Sequence, residues 1–379
     1  MAHIEGGNMN TFKIVLTGGP CAGKSKILEK LIKHYSTEEN KIFVVQETAS
    51  EVLASGIKFL EVDDSFNFQD IIFDRQLNKE QTLYRGMEHV PLKETNLVFL
   101  DRGLIDNKAY LKSQYQFDML LEKYDLKELE ILENYDLVID LVSLATTEPE
   151  LFMKECASNE QRYEDLENAQ IVDKKTTDAW LGHRNIKYVY PTDTIEEKTK
   201  IVIQYINDLI KYKQKIDTDM YFIEEPIEFL ISLNDDNSKK IEVIDYYLKK
   251  PEKNIFNLTR ILRKRIYKNC ETRQMFIVDE NGFIDKNKPI DNDWWDCWIS
   301  TNGIEKEIKR TEYTTNKLGN VCKISCYDGF TTLEIPKTNC KDTSTILNNF
   351  NVIEKIKNFE EFYDNKNKKA QKIKKYGSI

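Results

Sequence analysis

Short apolar runs alternate with longer amphipathic stretches along the first half of the chain. The runs are apolar at almost every position, and the stretches between them carry apolar residues three and four positions apart. Runs of the first kind predict strands buried on both faces, and the stretches predict helices that cover them, as in a parallel α/β sheet. The predicted strands span residues 12–17, 41–46, 96–101, 137–142 and 186–190. The predicted helices span residues 25–35, 68–85, 117–132 and 195–212.

The pattern changes after about residue 215, where one strand-like run follows another with little helical spacing between them. Such an order predicts antiparallel pairing in a sheet or barrel. The predicted strands span residues 241–248, 258–268, 274–278, 321–327 and 330–335. Residues 279–298 show no clear period and predict a long loop, whose tryptophans we expect to pack rather than to bind a ligand. We therefore predict two domains, residues 10–215 and residues 216–379.

Composition narrows the class of protein. A chain of 379 residues exceeds what one hydrophobic core usually organises, and its 40% hydrophobic content excludes wholesale disorder. The 64 acidic against 55 basic residues give a net charge of −9, so we expect no nucleic-acid partner. No run approaches the roughly 20 apolar residues of a membrane-spanning helix. The seven cysteines are scattered without a C-x-x-C pair, which favours reduced thiols and a cytoplasmic location.

The strongest local signal lies between the first predicted strand and the first predicted helix. The pattern G-x-x-x-x-G-K-[ST] is matched by Gly18-Gly19-Pro20-Cys21-Ala22-Gly23-Lys24-Ser25. In this phosphate loop, glycines let the backbone wrap an anion and the following helix adds the positive end of its dipole. We predict that all eight residues bind a nucleoside triphosphate, GTP or ATP, with Lys24 on the β- and γ-phosphates and Ser25 on Mg²⁺.

Two acidic residues end predicted strands. Asp101 closes the third strand and is predicted to orient Mg²⁺ or an attacking water, and Arg102 after it is suited to a phosphate or transition-state contact. Glu47 follows the second strand, and ligands of open parallel sheets sit beyond such carboxyl ends. Both acids have an alternative role as helix caps, Asp101 for a helix from Gly103 and Glu47 for a helix from Thr48.

Other polar residues refine the prediction. The segment Asn107-Lys108-Ala109-Tyr110 lacks the aspartate of the guanine-recognition pattern, which disfavours a Ras-like GTPase. Arg162 is predicted either to act as a lid arginine over the phosphates or to pair on a helix surface. His183 and Arg184 are expected at the solvated surface.

Three segments together resemble a known group of P-loop domains. They are Val15-Leu16-Thr17 with the phosphate loop, Gln46-Glu47-Thr48-Ala49, and Asp101-Arg102-Gly103-Leu104-Ile105-Asp106 with Ala109-Tyr110. This combination resembles the AAA-28 group, which is related to small nucleoside and nucleotide kinases. With its β-rich second half, the chain resembles the TRPL translocation defect protein family, which joins that domain to a CYTH-like triphosphate-tunnel barrel. The resemblance implies GTP binding, phosphoinositide or phosphatidic acid binding, and a role in membrane-protein trafficking at the membrane periphery.

The second half carries part of the barrel's pattern. Arg263-Lys264-Arg265 matches its R-x-R pair, and strand alternation puts Arg263 and Arg265 on one face, where they could grip phosphate oxygens. Lys306 and Arg310, before a predicted helix at residues 313–318, resemble the next charged segment and are also predicted to bind anions. The alternative is that Arg263 and Arg265 are solvated charges on an edge strand.

The acidic signature of the barrel is poorly kept. Ile244 takes one acid position, and Glu334 has no second acid two residues on. An active triphosphate hydrolase needs such acids for its metal ions, so binding without hydrolysis is expected there. The lysine-rich residues 366–375 are expected to add attraction to anionic lipid.

These observations favour a P-loop NTPase that slowly hydrolyses a Mg²⁺–nucleoside triphosphate, with a second domain that docks an anionic phosphate ligand. One alternative is a small-molecule kinase that transfers the γ-phosphate to a nucleoside-like acceptor, with Asp101 or Glu47 as base. Another is a nucleotide-regulated lipid-binding adaptor with negligible turnover.

Overall fold

The computed structural model describes residues 10–57, 64–157, 165–211, 218–234, 238–249, 259–278, 284–290, 292–318, 321–336, 344–357, 362–363 and 366. The chain divides into two units, Met1–Lys213 and Gln214–Ile379. No described helix is both long and apolar enough to cross a membrane.

Within the described residues, the first unit is built on a five-stranded sheet of order β2-β3-β1-β4-β5, in which every neighbouring pair is parallel. The strands are β1 (Asn10–Thr17), β2 (Asn40–Val45), β3 (Thr95–Asp101), β4 (Leu137–Leu141) and β5 (Ile186–Val189). Ile14 and Val15 point to opposite faces of β1 and are both fully buried, so helices cover both faces of the sheet. The predicted α/β fold of this half is confirmed.

The helices of the first unit follow the predicted order with additions. They are α1 (Lys24–Tyr35), α2 (Thr48–Ala54), α3 (Ser65–Met87), a 3₁₀ helix (Leu104–Tyr110), α4 (Gln114–Lys123), α5 (Glu128–Glu133), α6 (Leu144–Thr147), α7 (Pro149–Ala157), α8 (Leu166–Ala179) and α9 (Ile195–Ile210). The single helix predicted over residues 117–132 is wrong. Asp125 adopts a left-handed conformation with φ 52°, which separates α4 from α5.

Nine strands of the described part of the second unit form one antiparallel sheet of order β10-β9-β8-β7-β11-β12-β13-β6-β14. The strands are β6 (Thr218–Ile223), β7 (Ser238–Leu248), β8 (Thr259–Tyr267), β9 (Cys270–Val278), β10 (Ile284–Pro289), β11 (Ile304–Thr315), β12 (Cys322–Tyr327), β13 (Phe330–Pro336) and β14 (Val352–Ile356). Three helices accompany them, α10 (Ile227–Ile231), α11 (Asn292–Asn302) and α12 (Ser344–Leu347). The predicted antiparallel pairing is confirmed.

Two predictions for this unit are wrong. Residues 279–298 are not one long loop, because β10 and the start of α11 lie within them; Trp295 does pack, against Leu248 and Leu262. The helix predicted over residues 313–318 is also wrong, since Tyr313 belongs to β11, which pairs with β7 and β12 on its two sides. The ladder hydrogen bonds on both sides hold this part of the chain as a strand as far as Thr315.

The two faces of the second sheet differ in chemistry. Ile223, Ile324 and Leu333 belong to an apolar cluster on one face. Directly opposed residues of antiparallel strands share a face, and Arg310 opposes Val243, which in turn opposes Arg265. The second face therefore carries buried charged side chains, and we call it the charged face.

Candidate functional site

The phosphate loop lies between β1 and α1 and depends on glycine where the sequence motif requires it. Gly18 has φ 126° and a Cβ there would lie 2.1 Å from the carbonyl oxygen of Leu141. Gly23 has φ 87° at the N-terminal end of α1, and Cys21 also adopts a left-handed conformation. This backbone closes tightly around the helix N-terminus, which is the arrangement that favours a bound anion.

Side chains from the far half of the first unit hold the loop in this conformation. The Ser143 hydroxyl donates a hydrogen bond to the Pro20 carbonyl. The Gly19 N–H donates to Oδ1 of Asp173 on α8 at 2.9 Å, and a Cβ at Gly19 would lie 2.6 Å from that oxygen. The loop is therefore preorganised by the fold.

Two lysines contact the same loop. Lys24 Nζ donates to the carbonyl oxygens of Gly18 and Gly19 at 2.8 Å each. Burial, together with the positive charge of Arg102, lowers the pKa of Lys24 to about 8. Lys198 Nζ on α9 donates to the Ala22 carbonyl at 3.0 Å. Two cationic groups thus stand at a loop shaped for a polyanion.

Asp101, Arg102 and Glu47 converge at the carboxyl ends of β3 and β2. Arg102 Nε donates to Glu47 Oε1 at 3.3 Å, and the guanidinium lies 5.6 Å from the centre of the Tyr110 ring. Asp101 is buried, and its Oδ1 has no hydrogen-bond partner among the described residues. Burial raises the pKa of Asp101, and the charge of Lys24 acts in the opposite direction.

The structure shows neither acid as a side-chain cap of a helix. Gly103 precedes the 3₁₀ helix, and its N–H donates to Asp106 Oδ2 at 2.8 Å rather than to Asp101. Glu47 precedes α2 without a capping hydrogen bond, and it accepts instead from the Ser50 hydroxyl at 2.6 Å. Burial raises the pKa of Glu47, but the charge of Arg102 and the Ser50 hydrogen bond hold it below its usual value.

Sequence reasoning missed several residues of this site. Asp106 is buried, lies 3.6 Å from Arg102 Nη1 and accepts a hydrogen bond from the Thr17 hydroxyl. The sequence signal that could have indicated Asp106 is its position five residues after Asp101, the acid that ends β3. Asp173 and Lys198 reach the loop from distant helices, so no local pattern indicated them.

The residues present fit a Mg²⁺–nucleotide. Ser25 is exposed at the start of α1, and Asp101 offers a buried carboxylate oxygen that has no partner among the described residues. No group of three or more His, Cys, Asp or Glu in the described chain could hold a metal ion by itself. Mg²⁺ at phosphate sites takes one or two carboxylates from the protein and keeps its other ligands as water and phosphate oxygens.

Other predicted residues of the first unit have different outcomes. Arg162 lies outside the described residues. The surface placement of His183 and Arg184 is wrong, because His183 is buried and the side chain of Arg184 is only 6% exposed. His183 Nε2 lies 3.0 Å from the Tyr135 carbonyl oxygen, and Arg184 donates to Asp136 at 3.2 Å.

The charged face of the second unit carries a chain of ion pairs. Asp245 accepts two hydrogen bonds from Arg263, at 2.6 and 2.9 Å, and one from Arg310 at 2.7 Å. Arg310 also donates to Glu312 at 2.8 Å, and Lys323 lies 3.6 Å from Glu312. Burial raises the pKa of Asp245, but the two arginines outweigh it and lower the pKa to about 2.

The remaining predicted anion-binding residues share this face. Arg265 is only 5% exposed and lies on β8, an interior strand, so the solvated edge-strand alternative is wrong. Lys306 places its ammonium group 4.7 Å from the centre of the Tyr363 ring. On this face, three buried hydroxyl groups lack a hydrogen-bond partner within the described residues: those of Thr272, Ser325 and Thr332.

Comparisons with known proteins find similar solved structures and one family match. Among solved structures, the chain is similar to the PH1819 protein from Pyrococcus horikoshii OT3, at 12% identity and a TM-score of 0.30 over 37% of this chain and 90% of that one. It is also similar to the hypothetical protein NE1496, at 12% identity and a TM-score of 0.24 over 36% and 86%. No curated protein matches the chain. The model of the AAA_28 family, described as "AAA domain", matches residues 13–198, and these residues form an AAA_28 P-loop NTPase-like domain.

Proposed function

We propose that the first unit binds a Mg²⁺–nucleoside triphosphate and slowly hydrolyses it. The observation that carries this proposal is the buried Asp101 carboxylate, unpartnered at Oδ1 among the described residues. It lies at the carboxyl ends of the parallel strands, where the phosphate loop begins. Asp101 and Ser25 would hold Mg²⁺, which when bound draws charge from the terminal phosphate. The proposed nucleotide is GTP or ATP.

The side chains of the site have separate roles in this reaction. When the nucleotide binds, Lys24 exchanges its hydrogen bonds to the Gly18 and Gly19 carbonyls for contacts with the β- and γ-phosphates. Its ammonium group therefore stays hydrogen-bonded in both states. Arg102 offers its guanidinium to the charge that develops on the transferred phosphoryl group. Glu47 stays ionised beside Arg102 and accepts a proton from the attacking water.

A specific observation also favours a small-molecule kinase. Glu47 is a partly exposed carboxylate that Arg102 holds at the edge of the phosphate site, so it could take the proton of an acceptor hydroxyl instead of water. Nucleotide consumption that rises with a nucleoside-like acceptor would favour the kinase over the NTPase. Binding with negligible turnover would instead favour a nucleotide-regulated adaptor.

For the second unit we propose a CYTH-like domain that binds an anionic phosphate ligand without hydrolysing it. Arg263, Arg265, Lys306 and Arg310 share the charged face, and buried hydroxyl groups there lack partners among the described residues. Asp245 already accepts hydrogen bonds from two of these arginines. A bound phosphate oxygen would take the place of one of these carboxylate contacts, so the arginine would keep an anionic partner. A phosphoinositide or phosphatidic acid headgroup is the proposed ligand, which would place the protein peripherally at membranes in membrane-protein trafficking.

Phosphate release by the full chain tests the proposal for the first unit. Purified protein is given ATP or GTP with Mg²⁺, and inorganic phosphate is measured with and without a chelator. The proposal expects slow release that requires Mg²⁺ and does not need an acceptor. Absence of both nucleotide binding and release would contradict it.

A further inference from the structure

The backbone of Arg102 is held in an uncommon conformation. Its φ of 72° lies in the left-handed region, which a non-glycine residue keeps only when its surroundings impose it. The Arg102 N–H donates to the Leu16 carbonyl at 3.0 Å, and the Arg102 carbonyl accepts from Gln76 Nε2 at 3.0 Å. These bonds turn the chain sharply where it leaves β3.

The next two residues are fixed by aromatic side chains. A Cβ at Gly103 would lie 2.8 Å from the Trp180 ring and 3.3 Å from the Tyr135 ring, so only glycine fits between them and the turn. The Leu104 N–H donates to the Tyr135 hydroxyl at 3.1 Å. The turn from Arg102 to Leu104 is thus held by Gln76 and Tyr135.

Both of these supporting side chains meet one buried carboxyl group. The Tyr135 hydroxyl lies 3.1 Å from each carboxylate oxygen of Glu80, to which it donates. Gln76 Nε2 lies 3.4 Å from Glu80 Oε1. Glu80 is 2% exposed and lies on α3.

We propose that Glu80 is a positioning residue for Arg102. Its carboxylate orients the Tyr135 hydroxyl and the Gln76 amide, which hold the turn that aims the guanidinium at the phosphate site. A carboxylate accepts from both donors at once, whereas a neutral acid carries a proton of its own that competes with the Tyr135 hydroxyl. The inference rests on the proposed function, because Arg102 acts there on the transferred phosphoryl group.

The surroundings of Glu80 make its ionisation sensitive to pH. Tyr84 on the same helix donates to it at 3.3 Å, and the positive charge of Lys13 on β1 acts on it from the sheet. Burial outweighs these contacts and raises the pKa of Glu80 to about 7. Glu80 therefore contributes most to the stability of the fold when it is protonated, at a pH below its pKa in the unfolded chain. That contribution is lost as pH rises through about 7. Turnover, which needs the carboxylate, rises over the same interval.

Three variants test the inference. Glu80→Gln keeps the shape but cannot ionise, and Tyr135→Phe removes the link to Leu104. Tyr35→Phe is the matched control, because it deletes another buried hydroxyl, which lies 3.0 Å from Asn207. We measure kcat from pH 5.5 to 8.5, nucleotide Kd by calorimetry, and hydrogen exchange of the Leu104 amide.

The expected results separate positioning from stability. At pH 8, Glu80→Gln and Tyr135→Phe should each lower kcat by about tenfold, the effect of one lost oriented hydrogen bond, while Kd stays within about twofold. The Leu104 amide should exchange faster in both, and the rise of kcat near pH 7 should disappear in Glu80→Gln. Tyr35→Phe should change none of these.

Unchanged kcat, pH profile and Leu104 exchange in both variants would overturn the role of Glu80. A wild-type protein without turnover would instead count against the proposed function. In that case Leu104 exchange still decides whether Glu80 holds the turn.

Discussion

The guanidinium of Arg102 lies 3.3 Å from the carboxylate of Glu47 and so joins the ends of β3 and β2 beside the phosphate loop. Each residue supports the other's charge: Arg102 keeps the pKa of Glu47 low, and Glu47 helps to hold Arg102 over the Tyr110 ring. In the proposed reaction, the base and the cation that act on one phosphoryl group are thereby placed before any ligand arrives.

Glu47→Gln should reduce turnover much more than nucleotide affinity. The amide keeps a contact to Arg102 but cannot accept a proton, so kcat should fall by about 10²- to 10⁴-fold, the range for general-base catalysis. Steady-state phosphate release gives kcat, and calorimetry gives Kd. Ser50→Ala is the control, because it removes only the hydrogen bond that Glu47 accepts from the Ser50 hydroxyl and should leave most of the activity. Equal turnover in wild type and Glu47→Gln would exclude Glu47 as the base.

Lys24→Ala should weaken nucleotide binding while the protein stays folded. The change removes a charge-assisted contact to phosphate worth about 1.5–3 kcal/mol, which corresponds to about 10- to 150-fold in Kd. Calorimetric titration with the Mg²⁺ complexes of ATP and GTP measures it. Lys30→Ala is the matched control, since Lys30 lies on the same helix but pairs with Glu196 at the surface. Wild-type affinity of Lys24→Ala for both nucleotides would contradict the phosphate-loop assignment.

Gly18→Ala should disrupt the loop itself. The new methyl group would meet the Leu141 carbonyl at 2.1 Å in a backbone conformation that alanine rarely adopts. We expect a loss of at least about 2 kcal/mol in the free energy of unfolding, together with loss of nucleotide binding. Denaturant unfolding measures the first, and calorimetry the second. Gly86→Ala is a control in the same unit, because a Cβ there meets nothing within 4 Å.

The local parts of the site could be predicted from the sequence. A glycine-rich turn between a buried strand and a helix indicates the phosphate loop, and Asp101 and Glu47 stand at strand ends where parallel sheets place ligands. Glu80 and Asp173 could not be predicted, because they act across the fold on residues far away in sequence. The strand character of Tyr313 was missed because the helix at residues 313–318 was inferred from a family resemblance, whereas the nearby Arg310 and Glu312 are buried and pair with each other.

The charged face should make the second unit sensitive to acid. Because the folded-state pKa of Asp245 is lowered from 3.8 to about 2, its stabilising contribution is present above about pH 4 and is lost as pH falls toward 2. That contribution is about 2 kcal/mol by linkage. Denaturant unfolding at several pH values, followed by tryptophan fluorescence, reports on this unit, since three of the four tryptophans lie in it.

Asp245→Asn provides the comparison for that measurement. The variant should be less stable at neutral pH by about 3–5 kcal/mol, because Arg263 and Arg310 lose a buried carboxylate. It should also lose part of the acid sensitivity between pH 4 and 2. An acid dependence identical to that of the wild type would show that Asp245 is not responsible.

Arg263→Ala combined with Arg265→Ala should weaken binding of the full chain to vesicles that contain phosphoinositide or phosphatidic acid. Vesicle co-sedimentation measures binding, and soluble inositol phosphate as competitor distinguishes headgroup recognition from attraction to a charged surface. The control is Lys309→Ala, since Lys309 lies on β11 but is exposed and pairs with Glu307. If the double variant bound these vesicles as well as the wild type does, Arg263 and Arg265 would have only a structural role.

In the proposed function, Asp101 serves the reaction of a nucleotide bound at the phosphate loop rather than the structure around it. The most direct measurement compares Mg²⁺-dependent phosphate release with nucleotide Kd in Asp101→Asn. We predict that release falls by roughly 100-fold, because the amide loses the anion that Mg²⁺ needs, while Kd changes only a few-fold. An equal loss of release and binding, or unchanged release, would contradict the account.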